Sequence, residues 1–232
     1  MNPAHPPQGR SQVAERPRAD GPPALPRTSG PPALPRLFVP RGRLERRLDG
    51  AVAESAVTLL VAPAGAGKSV GVAGWLSRRG RGGPAARWLA GAGLAPDRLL
   101  TALGDGAGGA RGAPLVVVDD AHLLPAPTLR LVDERLNAEP ETLRLLLLSR
   151  WDLPLTRLVP ELLGHFTQLR GDLLRLDERE SALLIAPLAR TDDPVAVHRL
   201  AEEADGWCAA AVLAARAVGA APDPGAAARG LG

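Results

Sequence analysis

A single cysteine, Cys208, stands among 232 residues, which excludes an internal disulfide framework and any cysteine-based metal cluster. No run of about 18 uncharged apolar residues occurs anywhere in the sequence, so no transmembrane helix is expected. The first residues lack an apolar core flanked by a cleavage site, and a secretory signal is not expected either; the expected location is the cytoplasm. His5, His165 and His198 have no partners at metal-ligand spacing, so no zinc site is indicated. Tyrosine is absent, and only one of the 28 basic residues is lysine. With abundant alanine, glycine and proline, this arginine bias reads as coding pressure from a GC-rich genome. Lys68 alone stands against it. A solvated surface cation can be arginine at little cost, whereas a compact ammonium in a tight phosphate pocket cannot.

What is present divides unevenly along the chain. Of 24 prolines, 11 precede residue 41, and residues 1–50 carry nine arginines against four acids, a balance of +5. The rest of the chain carries a balance of −2, which excludes a basic platform for nucleic acid. Residues 1–36, with GPPALPR at 21–27 and again at 30–36, read as a disordered Pro-rich tail. A PxxP ligand and a plain flexible extension both fit that composition, the extension better.

From Arg43 the pattern turns regular. Leu44, Leu48 and Val52 space a short helix. Apolar runs at 56–62, 86–90, 114–120 and 143–150 read as strands, and 165–171 is a fifth candidate. Helices are expected from Ser69 to Arg79, over 95–104, and around Leu129, Val132 and Leu136. Strands alternating with helices imply βαβ crossovers and a parallel sheet covered on both faces. After Leu176 the strands stop. Asp177 and Glu180 are spaced as a helix N-cap pair, Val197, Leu200, Ala201 and Ala204 mark a second helix, and a third runs from Trp207 to about Val218. The expected organisation is a tail (1–36), an α/β core (37–171), a helical lid (172–218) and a flexible linker (219–232).

The segment VAPAGAGKS at 61–69 lies between a strand and a helix. Gly65 and Gly67 permit a turn that aims backbone N–H groups at phosphate oxygens. Lys68 is placed to reach the β- and γ-phosphates, and the Ser69 hydroxyl to ligate Mg²⁺. Pro63, Ala64, Ala66 and Val70 complete the nucleotide-binding loop. Ala62 takes the first Gly position of G-x-x-x-x-G-K-[ST]. Asp119 and Asp120 close an apolar strand, LVVVDD, where Asp119 is expected to hold Mg²⁺ and Asp120 to polarise the attacking water. Arg150, at the end of the next strand, is expected to sense or stabilise the γ-phosphate. His122 reads as structural rather than catalytic.

These residues resemble the ATPase domain of the large ATP-binding LuxR-type transcriptional regulators, the group of the maltose-regulon activator, within the STAND class of P-loop ATPases. The resemblance runs through LFVPRGRLERRLD (37–49), TLLVAPAGAGKS (58–69), AGWL (73–76), RWL (87–89), LVVVDDAHLL (115–124), LLLLSRWDLPL (145–155), QLRGDLLRLDERES (168–181) and ADGWCAAAVLAA (204–215). It implies an ASCE/AAA-like P-loop core with a helical lid, ATP or ADP with Mg²⁺ as ligands, and Val39 and Arg41 beside the adenine. Alanine at position 62 agrees with that family. The resemblance also implies a switch: the ATP form activates, the ADP form rests, and an inducer biases the balance. Three features depart from the family. The segment between Leu89 and Leu115 is short and Gly-rich, GWCAA replaces the more usual GWAAG, and the winged-helix, sensor-repeat and helix-turn-helix modules have no counterpart in these residues. Direct DNA binding is therefore not expected, and a partner protein or a separate sensor module is. Three readings follow: a slow ATPase switch module, a turnover ATPase of AAA type, and a non-functional regulator fragment.

Overall fold

The computed structural model describes residues 30–79, 86–104, 114–222 and 227. Residues 1–29 of the expected tail, the Gly-rich stretch at 105–113 and nearly all of the expected linker beyond 222 lie outside the described residues. Within them, helix α1 (Gly42–Glu54) buries Leu44, Leu48, Ala51 and Val52, the face its i, i+4 spacing announces. Strand β1 (Val57–Val61) leads through the glycine-rich loop into α2 (Lys68–Arg78). Next come β2 (Ala86–Ala90), α3 (Pro96–Leu103), β3 (Leu115–Asp119), α4 (Ala126–Ala138) and β4 (Leu145–Ser149). A five-residue helix, α5 (Leu158–Leu162), precedes β5 (Phe166–Arg170).

The five strands form one sheet in the order β2-β3-β4-β1-β5, with every pairing parallel. Its central strands β3, β4 and β1 read as nearly unbroken apolar runs because both faces are covered. Along β4 the leucines alternate. Leu145 and Leu147 join α3 and α4 on one face with Val116, Val118 and Leu59. Leu146 and Leu148 join α1 and α2 on the other with Val117, Leu60 and Trp75. All strands being parallel, the carboxyl ends of β1, β3 and β4 share one edge, where α/β sheets bind ligands.

The segment expected to form the lid is three helices: α6 (Glu178–Ala189), α7 (Pro194–Ala204) and α8 (Cys208–Gly219). At the start of α6, the Glu180 N–H donates to Asp177 Oδ1 at 2.8 Å, and the Asp177 N–H donates back to Glu180 Oε2 at 3.1 Å. Aspartate thus completes a capping box in place of the usual serine or threonine. Leu184, Ile185, Leu200, Ala211, Ala215 and Val218 build the lid's own core. Alanine and glycine on α8 let it approach α6 closely: a Cβ on Gly219 would lie 2.2 Å from the Leu188 carbonyl oxygen.

The segment ahead of α1 does more than mark the start of the core. Leu37 and Val39 pack into the lid cluster, and the Phe38 ring lies against Gly74 on α2. The Arg41 guanidinium is buried, donating from Nε to Glu180 Oε2 at 3.1 Å and from Nη2 to the Leu174 carbonyl. One arginine therefore fastens the entry of α1 to the capped start of the lid.

Candidate functional site

At the carboxyl edge of the sheet, the Ala62 N–H extends the β1–β4 pairing by donating to the Ser149 carbonyl at 3.1 Å. Ala62 is 2% exposed, and a Cβ on Gly171 would meet its methyl at 3.2 Å. A small residue is what this first loop position requires. Gly65 and Gly67 hold φ of +79° and +90°, backbone that side chains with a Cβ rarely adopt. Gly67 is the N-cap of α2, and no side chain caps that helix. The first-turn N–H groups of α2 therefore have no side-chain acceptor, the arrangement that favours an anion.

Lys68 is buried, and its ammonium donates to the carbonyls of Ala62 at 2.5 Å and Pro63 at 3.0 Å. Burial, seconded by the Arg150 charge, holds its pKa below the ordinary lysine value. The Ser69 hydroxyl donates to Asp119 Oδ1 at 2.9 Å, and the same oxygen accepts the Asp120 N–H at 3.0 Å. Burial pushes the Asp119 carboxyl above the usual range. Two residues 50 apart in sequence thus bring a hydroxyl and a carboxylate together, hard oxygen donors suited to Mg²⁺, which keeps its remaining positions for water and phosphate. Among the described residues no cluster of three or more His, Cys, Asp or Glu could hold a metal, so such an ion would rest on this pair.

Asp120 leaves the sheet in the left-handed region at φ +50°. Its backbone needs Gly91, where a Cβ would lie 2.5 Å from the Asp120 carbonyl oxygen. Arg150 comes in from the end of β4, its Nε 3.9 Å from Asp120 Oδ1. Val39, Arg41, Gly67 and Val70 line a largely apolar cavity of about 560 Å³, to which Leu184 and Val212 of the three C-terminal helices also contribute. Pro63 and Ala64 are exposed on the outer bend of the loop, and Ala66 is buried beneath it. The structure therefore brings the expected site residues to one edge, in two neighbouring groups: Lys68, Ser69, Asp119, Asp120 and Arg150 at the strand ends, and Val39, Arg41 and Val70 around the cavity.

No protein-family model and no curated protein matches the chain. Among solved structures, it resembles a Walker-type ATPase of Pyrococcus abyssi with a TM-score of 0.54 at 13% identity, over 83% of this chain and 71% of that one. The fold is that of the P-loop ATPases. The Thermotoga maritima RuvB Holliday junction branch migration motor also matches, at a TM-score of 0.47 and 17% identity, over 81% of this chain. The chain spans 64% of that RuvB chain.

Three contacts of this P-loop site were not read from the sequence. The Ala209 N–H at the start of α8 donates to the Gly65 carbonyl at 3.1 Å, so the lid sits directly on the P-loop. A Cβ on Gly65 would lie 2.8 Å from Ala209 Cβ and 2.9 Å from Trp207 Nε1. His122 lies beside Asp120. The GWCAA segment gave the only hint of the lid contact, and the DDAH run the only hint of the histidine.

Proposed function

We propose that this chain is the nucleotide-binding switch module of a LuxR-type, STAND-class regulator, a slow ATPase in which ATP and ADP set the position of the lid. Residues 63–70 would cradle the phosphates, with Lys68 on the β- and γ-phosphates. Ser69 and Asp119 would hold Mg²⁺, which when bound neutralises charge on the phosphate oxygens. Val39, Arg41 and Val70 line a cavity of suitable size and apolarity for the adenine. Asp120 would orient and polarise the attacking water, and Arg150 would face the γ-phosphate. Residues 37–171 act as the core and 172–218 as the lid, working in the cytoplasm through a partner or a separate sensor module.

The observation that carries this reading is the Ala209–Gly65 hydrogen bond. The loop that would hold the phosphates is bonded to the lid, so a rearrangement of the loop around nucleotide would be transmitted directly to the start of α8. The net charge of −2 over residues 51–232 supports a switch over a motor that tracks DNA. The test is steady-state ATP hydrolysis with and without duplex DNA. A switch predicts turnover well below about 1 s⁻¹, the slow end of ordinary enzymes, and no stimulation by DNA. Fast turnover raised by DNA would refute the switch in favour of a motor.

A further inference from the structure

We propose that His122 is the positioning residue of Asp120, acting through that carboxylate rather than touching nucleotide. The proposal rests on the reading of Asp120 as the water-orienting acid, and it assigns a role to a ring that the DDAH run alone marks as packing. The His122 side chain is 2% exposed, and its Nε2 lies 3.9 Å from Asp120 Oδ1. That is the same oxygen Arg150 Nε approaches at 3.9 Å from the end of β4. One carboxylate oxygen is therefore approached by two nitrogen groups arriving from different elements.

The nitrogen facing the carboxylate decides the tautomer. His122 Nδ1 is buried with no hydrogen-bond partner and is left unsatisfied in either tautomer, at a cost of about 1–3 kcal/mol. A lone pair on Nε2 would face the Asp120 carboxylate and be repelled, whereas an N–H there is attracted to it, so the proton belongs on Nε2. Burial holds the imidazole pKa below its ordinary value, which favours the neutral ring. The ring packs edge-on against Trp151, with centroids 4.5 Å apart at 66°. Backbone bonds complete the mount: the Leu123 N–H donates to the Asp120 carbonyl at 2.8 Å, and the Gly91 N–H to the Asp119 carbonyl at 2.7 Å. Asp120 thus has a backbone held by hydrogen bonds and a partly exposed carboxylate whose Oδ1 has His122 Nε2 and Arg150 Nε each at 3.9 Å, close enough to bias its orientation electrostatically.

The test uses the full chain with His122→Phe and His122→Gln. Phenylalanine keeps the volume and the Trp151 contact but has no N–H; glutamine keeps an N–H at a similar reach. His122→Phe should bind Mg²⁺-ATP within about twofold of wild type, while its single-turnover hydrolysis falls about tenfold or more, because small misplacements of a reacting group are costly. His122→Gln should recover most of that loss. A His122→Phe protein as fast as wild type would overturn the proposal and leave the ring as packing. A second readout needs no nucleotide: the ¹⁵N resonances of His122 should report an Nε2–H tautomer whose signal moves in Asp120→Asn. An unmoved signal would overturn the coupling even where hydrolysis is intact. A wild-type chain that binds no Mg²⁺-ATP would refute the functional reading instead, while the ¹⁵N measurement still decides whether His122 and Asp120 are coupled.

Discussion

Replacing Gly65 with alanine tests whether the lid is seated on the P-loop. The substitution meets two obstacles of different origin. Gly65 has φ +79°, and left-handed backbone costs a residue with a Cβ about 1–2 kcal/mol. The new methyl would also lie 2.8 Å from Ala209 Cβ and 2.9 Å from Trp207 Nε1, inside normal contact, and overpacking of this kind costs about 1–3 kcal/mol. Together these amount to about 2–5 kcal/mol. Gly93 provides the control, since it has φ +68° and nothing within 4 Å of a Cβ placed on it. Gly93→Ala should show the backbone cost alone, about 1–2 kcal/mol. Urea unfolding of the three proteins, followed by far-UV circular dichroism and by tryptophan fluorescence, separates the two contributions. Gly65→Ala should lose more stability than Gly93→Ala by about 1–3 kcal/mol. If the two variants unfold at the same midpoint with the same slope, Trp207 and Ala209 do not rest on the loop, and the argument linking loop to lid fails.

Other variants test separate joints of the structure. Asp119→Asn should abolish the gain in ATP affinity that Mg²⁺ confers while leaving Mg²⁺-free binding nearly intact, as measured by calorimetry with and without EDTA; equal losses under both conditions would contradict a metal role. Arg41→Met removes the buried partner of Glu180 and the donor to the Leu174 carbonyl. It should destabilise the protein by about 3–5 kcal/mol in urea, and a further Glu180→Gln change should restore part of the loss. No restoration would show that Arg41 acts by packing alone.

The sheet was legible because its strands are apolar runs bounded by turns, and β3 and β4 have nearly every residue buried. The phosphate loop was legible because Gly65, Gly67, Lys68 and Ser69 are required by local chemistry and sit between two recognisable elements. Helix α5 was not anticipated: LVPEL is five residues long, contains Pro160 and shows no amphipathic period. The Arg41–Glu180 pair was hidden for another reason. It joins residues 139 apart, and nothing in either local segment marks the other as its partner. The same holds for Ala209 and Gly65. Alanine at a helix start carries no signal for a backbone bond made to a distant loop. His122 was visible as a residue but not as a neighbour of Asp120, because their meeting depends on the left-handed turn at Asp120, which the local run does not mark. Leu37 and Val39 fall within the expected core at 37–171, yet they pack with the lid, since the sequence pattern gives their apolarity without the face they meet.

The central claim is that the loop ending in Lys68 and Ser69 holds a nucleotide. Calorimetric titration of the full chain with Mg²⁺-ATP and Mg²⁺-ADP, beside Lys68→Ala, tests it most directly. A hydrogen bond to a charged group is worth about 1.5–3 kcal/mol, so the mutant should bind about 10- to 150-fold more weakly, with the sheet intact by circular dichroism. Wild-type affinity in the mutant, or no binding by a folded wild-type chain, would contradict the claim.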